Sequence, residues 1–182
     1  MTEEMMDWSQ FDNLVTEEVM GDIKDYEAGK PRKAEKKEYP EIPEGKYDVI
    51  PEKFEVKVSN NGNPMMVIWF RIANGPFKNG MIFANFMMHT AWKIHETKRF
   101  IRSMDPSTPV EFTSFTQWNI YIKGVSEELL GQAMYELNYV QKPNKTNPNK
   151  PFKEYYIVGG PYATPEDYVH PSERQNNVWQ TN

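Results

Sequence analysis

Residues 59–72, SNNGNPMMVIWFRI, decide the fold. The cluster of Ser, Asn, Gly and Pro marks a turn. A run that alternates at period two follows it at once, which is the signature of a strand with two unlike faces. Met66, Ile68, Phe70 and Ile72 form one wholly apolar face, and Met65, Val67, Trp69 and Arg71 form the other. A sheet face left to water ordinarily carries Thr, Lys or Glu. An indole and a guanidinium on that face point to something other than solvation.

Similar strands lie on either side. GKYDVIPEKFEVKVS, from Gly45, alternates Phe54, Val56 and Val58 with Glu55 and Lys57, and Pro51 within it predicts a bulge or an edge. NGPFKNG is a second turn cluster. MIFANFMM is a third strand, with Ile82, Ala84, Phe86 and Met88 on one face and Met81, Phe83, Asn85 and Met87 on the other. The period then changes. HTAWKIHETKRFIRSM places Ile94, Ile101 and Met104 on one helical side and stops at Asp105-Pro106. STPVEFTSFTQWNIYIKGV suits a second helix, with Phe112, Phe115, Trp118 and Ile122 in step and Ser114 with Gln117 as a capping pair, although Ile120 and Ile122 would also suit a strand. AMYELNYVQ and FKEYYIV return to strand, separated by the loop KPNKTNPNKP.

The remaining residues bound the function. The chain has 182 residues, no cysteine and 14% aromatics. Disulfides, thiolate metal sites and cysteine nucleophiles are thereby excluded. No run of 18 apolar residues exists to span a membrane. The net charge of −5 is unevenly spread. Residues 1–29 hold nine acids against Lys24, residues 30–38 hold five bases against two acids, and residues 39–182 are neutral. Residues 1–38 therefore read as an acidic amphipathic helix, with Phe11, Val15, Val19 and Ile23 at i+4 spacing beside Leu14, followed by a charged linker. That stripe suits packing on the domain or on another copy of the chain, so a homodimer is compatible with it. Residues 39–160 read as the main domain, and residues 161–182 as a polar, irregular tail.

No phosphate-binding loop, nucleophile elbow or zincin helix is present, and His89, His95 and His170 have no companions at ligand spacing. The expectation is a non-enzyme without metal or cofactor.

The order strand, strand, strand, helical segment, strand, strand predicts a mainly β fold. The expected architecture is the five-stranded antiparallel OB-fold, a small barrel with a helical insertion between strands three and four, here with an added N-terminal helix. In that fold the outer face of strands two and three, with the loops joining strands one to two and four to five, forms an oligonucleotide or oligosaccharide groove. Its candidate residues here are Lys57, Trp69, Arg71, Phe83, Asn85, Lys142, Lys145, Lys150, Lys153 and Tyr155. The aromatics suit base stacking and the cations suit phosphates. The competing reading is that a helix or a second chain covers Trp69 and Phe83.

The stretch EGKYDV…EVKVSNNGNPMMVIWFRIANGPFKNGMIFANF, then KIHETKRFIRSM, then MYELNY…PFKEYYI, resembles the small single-stranded-DNA-binding proteins of tailed phages of Gram-positive bacteria. The resemblance covers residues 8–158. It implies an OB-fold, a role in phage DNA replication or recombination beside phage or host proteins of those processes, and a place in the host cytoplasm. Well-studied bacterial single-strand binders end in an acidic tip, whereas this chain ends NNVWQTN.

Overall fold

A computed structural model of the chain describes Ser9, Asp12, residues 15–29 and residues 41–177. Phe11, Leu14 and the basic linker of residues 30–38 lie outside the described residues. The chain divides into two compact units, Met1–Glu38 and Tyr39–Asn182. In the first, helix α1 spans Glu17–Glu27. The apolar stripe it carries is exposed at Val19 and Ile23, as is Val15 just before the helix.

The second unit is built on one five-stranded antiparallel sheet. Its strands are β1 (Gly45–Val58), β2 (Pro64–Ile72), β3 (Met81–Met87), β4 (Met134–Lys142) and β5 (Phe152–Tyr162), in the order β3-β2-β1-β4-β5. Helices α2 (Ala91–Met104) and α3 (Phe115–Leu129) are inserted between β3 and β4. The turn between β1 and β2 closes through Gly62, whose φ of 80° suits glycine alone, with Ser59 and Asn63 bonded across it at 2.8 Å. Both helix starts are capped. Thr90 accepts from the Lys93 amide, and Ser114 accepts from the Gln117 amide while the Gln117 side chain accepts from the Thr113 amide.

Period-two alternation placed the core face of β2 correctly, while Val67 on the opposite face is buried as well. Met66, Ile68, Phe70 and Ile72 are all buried, facing Ile82 and Ala84 of β3, Phe100 and Ile101 of α2, and Trp118 and Ile122 of α3. On β4, Tyr135, Leu137 and Tyr139 face the same core. Pro51 marks a real bulge. The β1–β2 register slips between Pro51 and Lys53, and Glu52 is the extra residue.

The expected barrel is not closed. β3 and β5 are the two edges of the sheet, and no backbone ladder joins them among the described residues. Aromatic rings stand between the edges instead. Tyr155 of β5 donates its hydroxyl to the Phe83 carbonyl at 3.1 Å, and its ring lies 5.7 Å from Phe86, which in turn packs 4.6 Å from Phe100 of α2. A bond carried by a tyrosine side chain keeps two backbones too far apart for the strand spacing of about 4.8 Å that a ladder needs.

Within the segment expected to be irregular, residues 161–162 and 171–177 are regular and residues 163–170 are not. β5 continues to Tyr162, and α4 spans Pro171–Asn177. His170 Nε2 lies 2.9 Å from the Leu130 carbonyl, over Gly131, where a Cβ would stand 2.3 Å from the imidazole and φ is +68°. Lys78 of the β2–β3 turn pairs with Asp167. Arg174 and Tyr168 reach Glu52.

Candidate nucleic-acid interface

The outer face of the sheet is a grid set by cross-strand register. Lys53, Trp69 and Phe83 form one row across β1, β2 and β3. Glu55, Val67 and Asn85 form the next, and Lys57, Met65 and Met87 the third. The register runs unbroken from the β1–β2 turn to Lys53 and Trp69, and the bulge at Glu52 shifts the β1 residues from Pro51 back by one place. Trp69 and Phe83 are each 37% exposed, with ring centroids 5.2 Å apart and planes at 87°. That is the edge-to-face arrangement aromatic quadrupoles favour. Lys53 Nζ lies 4.3 Å from the Trp69 ring centroid, within cation–π range, and 3.2 Å from Glu55. The result is an aromatic pair with the Lys53–Glu55 ion pair at its margin. Lys53 lies on the same period-two face as Glu55 and Lys57, and the hairpin register carried back from the turn sets it opposite Trp69.

The other candidate residues divide. Lys57 and Asn85 sit on the grid, and both are exposed. Lys153 lines the cleft between β3 and β5, close to Asn85. Lys145 and Lys150 are exposed in the β4–β5 loop. The asparagines of that loop do turn chemistry, as Asn144 accepts from the Thr146 and Asn147 amides and donates to the Lys150 carbonyl. Lys57, Lys145, Lys150 and Lys153 make no ion pair among the described residues.

Three candidates have other work. Arg71 lies on the same side of β2 as Trp69, but its Nε is 2.7 Å from Glu52 Oε1 and its Nη1 is 3.1 Å from the Asn79 carbonyl. Glu52 also takes two bonds from Arg174, at 2.6 and 3.1 Å, and one from the Tyr168 hydroxyl at 3.2 Å. Burial works to raise the Glu52 carboxyl, but the hydrogen bonds and charges of Arg174 and Arg71 outweigh it, so its pKa falls below the ordinary carboxylate value. Arg71 is thus engaged in a half-buried network and not offered to a phosphate. Tyr155 faces inward, 8% exposed, stacked on Tyr139 at 5.5 Å, with its phenol pushed well up by burial. It pins the sheet edges and presents no open ring face. Lys142 pairs with Glu154 at 2.9 Å, and Tyr156 donates to the same carboxylate at 2.5 Å.

Among the described residues, no group of three or more His, Asp or Glu could hold a metal ion, and no helix is long and apolar enough to cross a membrane. The grid brings two half-exposed aromatic rings close to the exposed Lys57 and Asn85 on one sheet face.

Residues 30–154 match a family described as proteins of unknown function, DUF669. The match spans most of the chain, including β1 to β4 and the start of β5, and the chain belongs to that family. No curated protein matches it.

Proposed function

We propose that this chain is a sequence-nonspecific single-stranded-DNA-binding protein that acts in phage DNA replication or recombination in the host cytoplasm. The observation that carries the reading is the pair Trp69–Phe83, half-exposed on the face opposite the core. Every base has a π-face, so such a pair accepts any sequence. The fold supports the same reading. Placing β4 beside β1 after a three-strand meander is a Greek-key order, and the strand sequence is that of an OB barrel opened at the β3–β5 seam. The resemblance to phage single-strand binders adds the biological setting and phage or host replication and recombination proteins as partners.

The test is a mobility shift with labelled oligo-dT of about 30 nucleotides, room for several OB-sized sites, at two salt concentrations. Salt-sensitive binding supports the reading; no shift at low salt refutes it. One observation favours a second reading, an OB-type protein-interaction domain in phage assembly. Residues 39–182 are neutral, and Arg71 and Lys142 are already paired within the chain. On that reading the aromatic face meets a protein and oligonucleotide leaves it unchanged.

A further inference from the structure

The two unpaired sheet edges frame a second groove. It lies between β3, α2 and β5 and has a volume of about 520 Å³. Trp92 and Phe152 stand on its walls, 68% and 58% exposed, the most exposed aromatic side chains among the described residues. Such exposure of large rings gains nothing for the core, and two of them beside one groove make a surface suited to a ligand.

The charges of the groove are sorted. Glu154 is taken by Lys142 and the Tyr156 hydroxyl, and Glu96 by Arg99 at 3.5 Å. Lys93 and Lys153 line the same groove with no ion pair among the described residues. The acids are neutralised internally while two cations stay available to an anion. Free hydrogen-bonding edges are scarce. The hydroxyls of Thr97 and Ser103 bond to carbonyls of their own helix. A ligand there would be held by stacking and charge rather than read by its edges.

The groove is continuous with the Trp69–Phe83 platform. Asn85 and Met87 line it, and the same two residues pair across the sheet with Val67 and Met65 in the outer-face grid. A chain lying on that grid and crossing the β3 edge enters the groove directly.

We infer that this groove holds the next segment of the bound single strand, with bases on Trp92 and Phe152 and phosphates at Lys93 and Lys153. The inference rests on the single-strand reading above and extends its path. Aromatic platforms beside unpaired lysines are the combination that sequence-tolerant strand binding requires.

The experiment measures fluorescence anisotropy of labelled oligo-dT of about 30 nucleotides against the full chain. It compares the wild type with Trp69→Ala, with Trp92→Ala/Phe152→Ala, and with Lys93→Gln/Lys153→Gln. The aromatic double variant should bind at least about tenfold more weakly, since each stacked base contributes roughly five- to 150-fold. The lysine pair should make the log–log salt slope shallower by about 1.4, at 0.7 per phosphate on single strands. All four side chains are exposed or half-exposed, so melting temperatures should hold, and the lysine variant gives a readout that does not depend on removing a ring. If both double variants bind as the wild type while Trp69→Ala weakens binding, the groove is off the path and the inference falls alone. If the wild type binds no oligonucleotide, the single-strand reading fails and takes the inference with it.

Discussion

Trp69 and Phe70 are adjacent in sequence and lie on opposite faces of β2, the first 37% exposed over the outer grid and the second fully buried in the core. They form a matched pair for mutagenesis. Trp69→Ala should weaken oligo-dT binding by roughly five- to 150-fold. It also removes an edge-to-face pair and a cation–π contact, each contributing about 1 kcal/mol, so the melting point should drop by only a few degrees. Phe70→Ala should cost about 3–5 kcal/mol through the cavity it leaves. Denaturation and binding curves on both variants decide the assignment of faces. The reverse pattern would mean the faces are exchanged.

Glu52 should act as an acid-sensitive tie. Its folded pKa lies below the ordinary value of 4.5. A lowered folded pKa contributes stability that is present above the unfolded value and is lost as pH falls through the folded one. Thermal melts from pH 6 downward should therefore show a loss beginning near 4.5 that Glu52→Gln lacks. At neutral pH the variant should be less stable by about 1–3 kcal/mol, because Arg71 and Arg174 lose a charged acceptor while keeping part of their contact with water. Identical acid profiles for the two proteins would contradict this.

The salt response should come from the unpaired lysines. With Lys57, Lys93, Lys145, Lys150 and Lys153 each meeting a phosphate, the log–log slope is roughly −3.5 for a single strand. Lys57→Gln should reduce its magnitude by about 0.7. Lys142→Gln should change it less, since Lys142 is already paired with Glu154. Equal effects from the two substitutions would show that the internal pair opens to the ligand.

The acidic charge of residues 1–29 should oppose oligonucleotide binding by repulsion. Residues 1–29 carry a net charge of −8 on a chain whose remainder from residue 39 is neutral. Deleting residues 1–29 should tighten oligonucleotide binding at low salt, with the difference fading as the Debye length shrinks to about 8 Å near physiological ionic strength. Affinity unchanged at low salt in a folded deletion variant would confine that segment to another role.

Much of this architecture was legible along the chain. Burial of one strand face imposes a period of two, so Met66 through Ile72 declared their faces, and Trp69 and Phe83 stood out because they broke the polar rule on the other side. Pro51 announced the bulge because proline cannot donate to a ladder. The helix start at Ser114 was written in capping chemistry.

What the sequence could not determine was which side chains were already spoken for. Arg71 meets Glu52 from 19 residues away, Tyr155 meets Phe83 across 72, and Arg174 meets Glu52 across 122. Ion pairs and single hydrogen bonds have no sequence period, so none of these was visible locally. Residues 167–174 read as irregular for the same reason, as they are held by polar contacts that leave no hydrophobic pattern. Whether the sheet closed was also a tertiary matter, settled where the rings of Phe86, Phe100 and Tyr155 stand between β3 and β5 and line the groove there. Apolar periodicity is a local property of the backbone and survives in the sequence, whereas the partner of a charge and the gap between two strand edges exist only once distant segments meet.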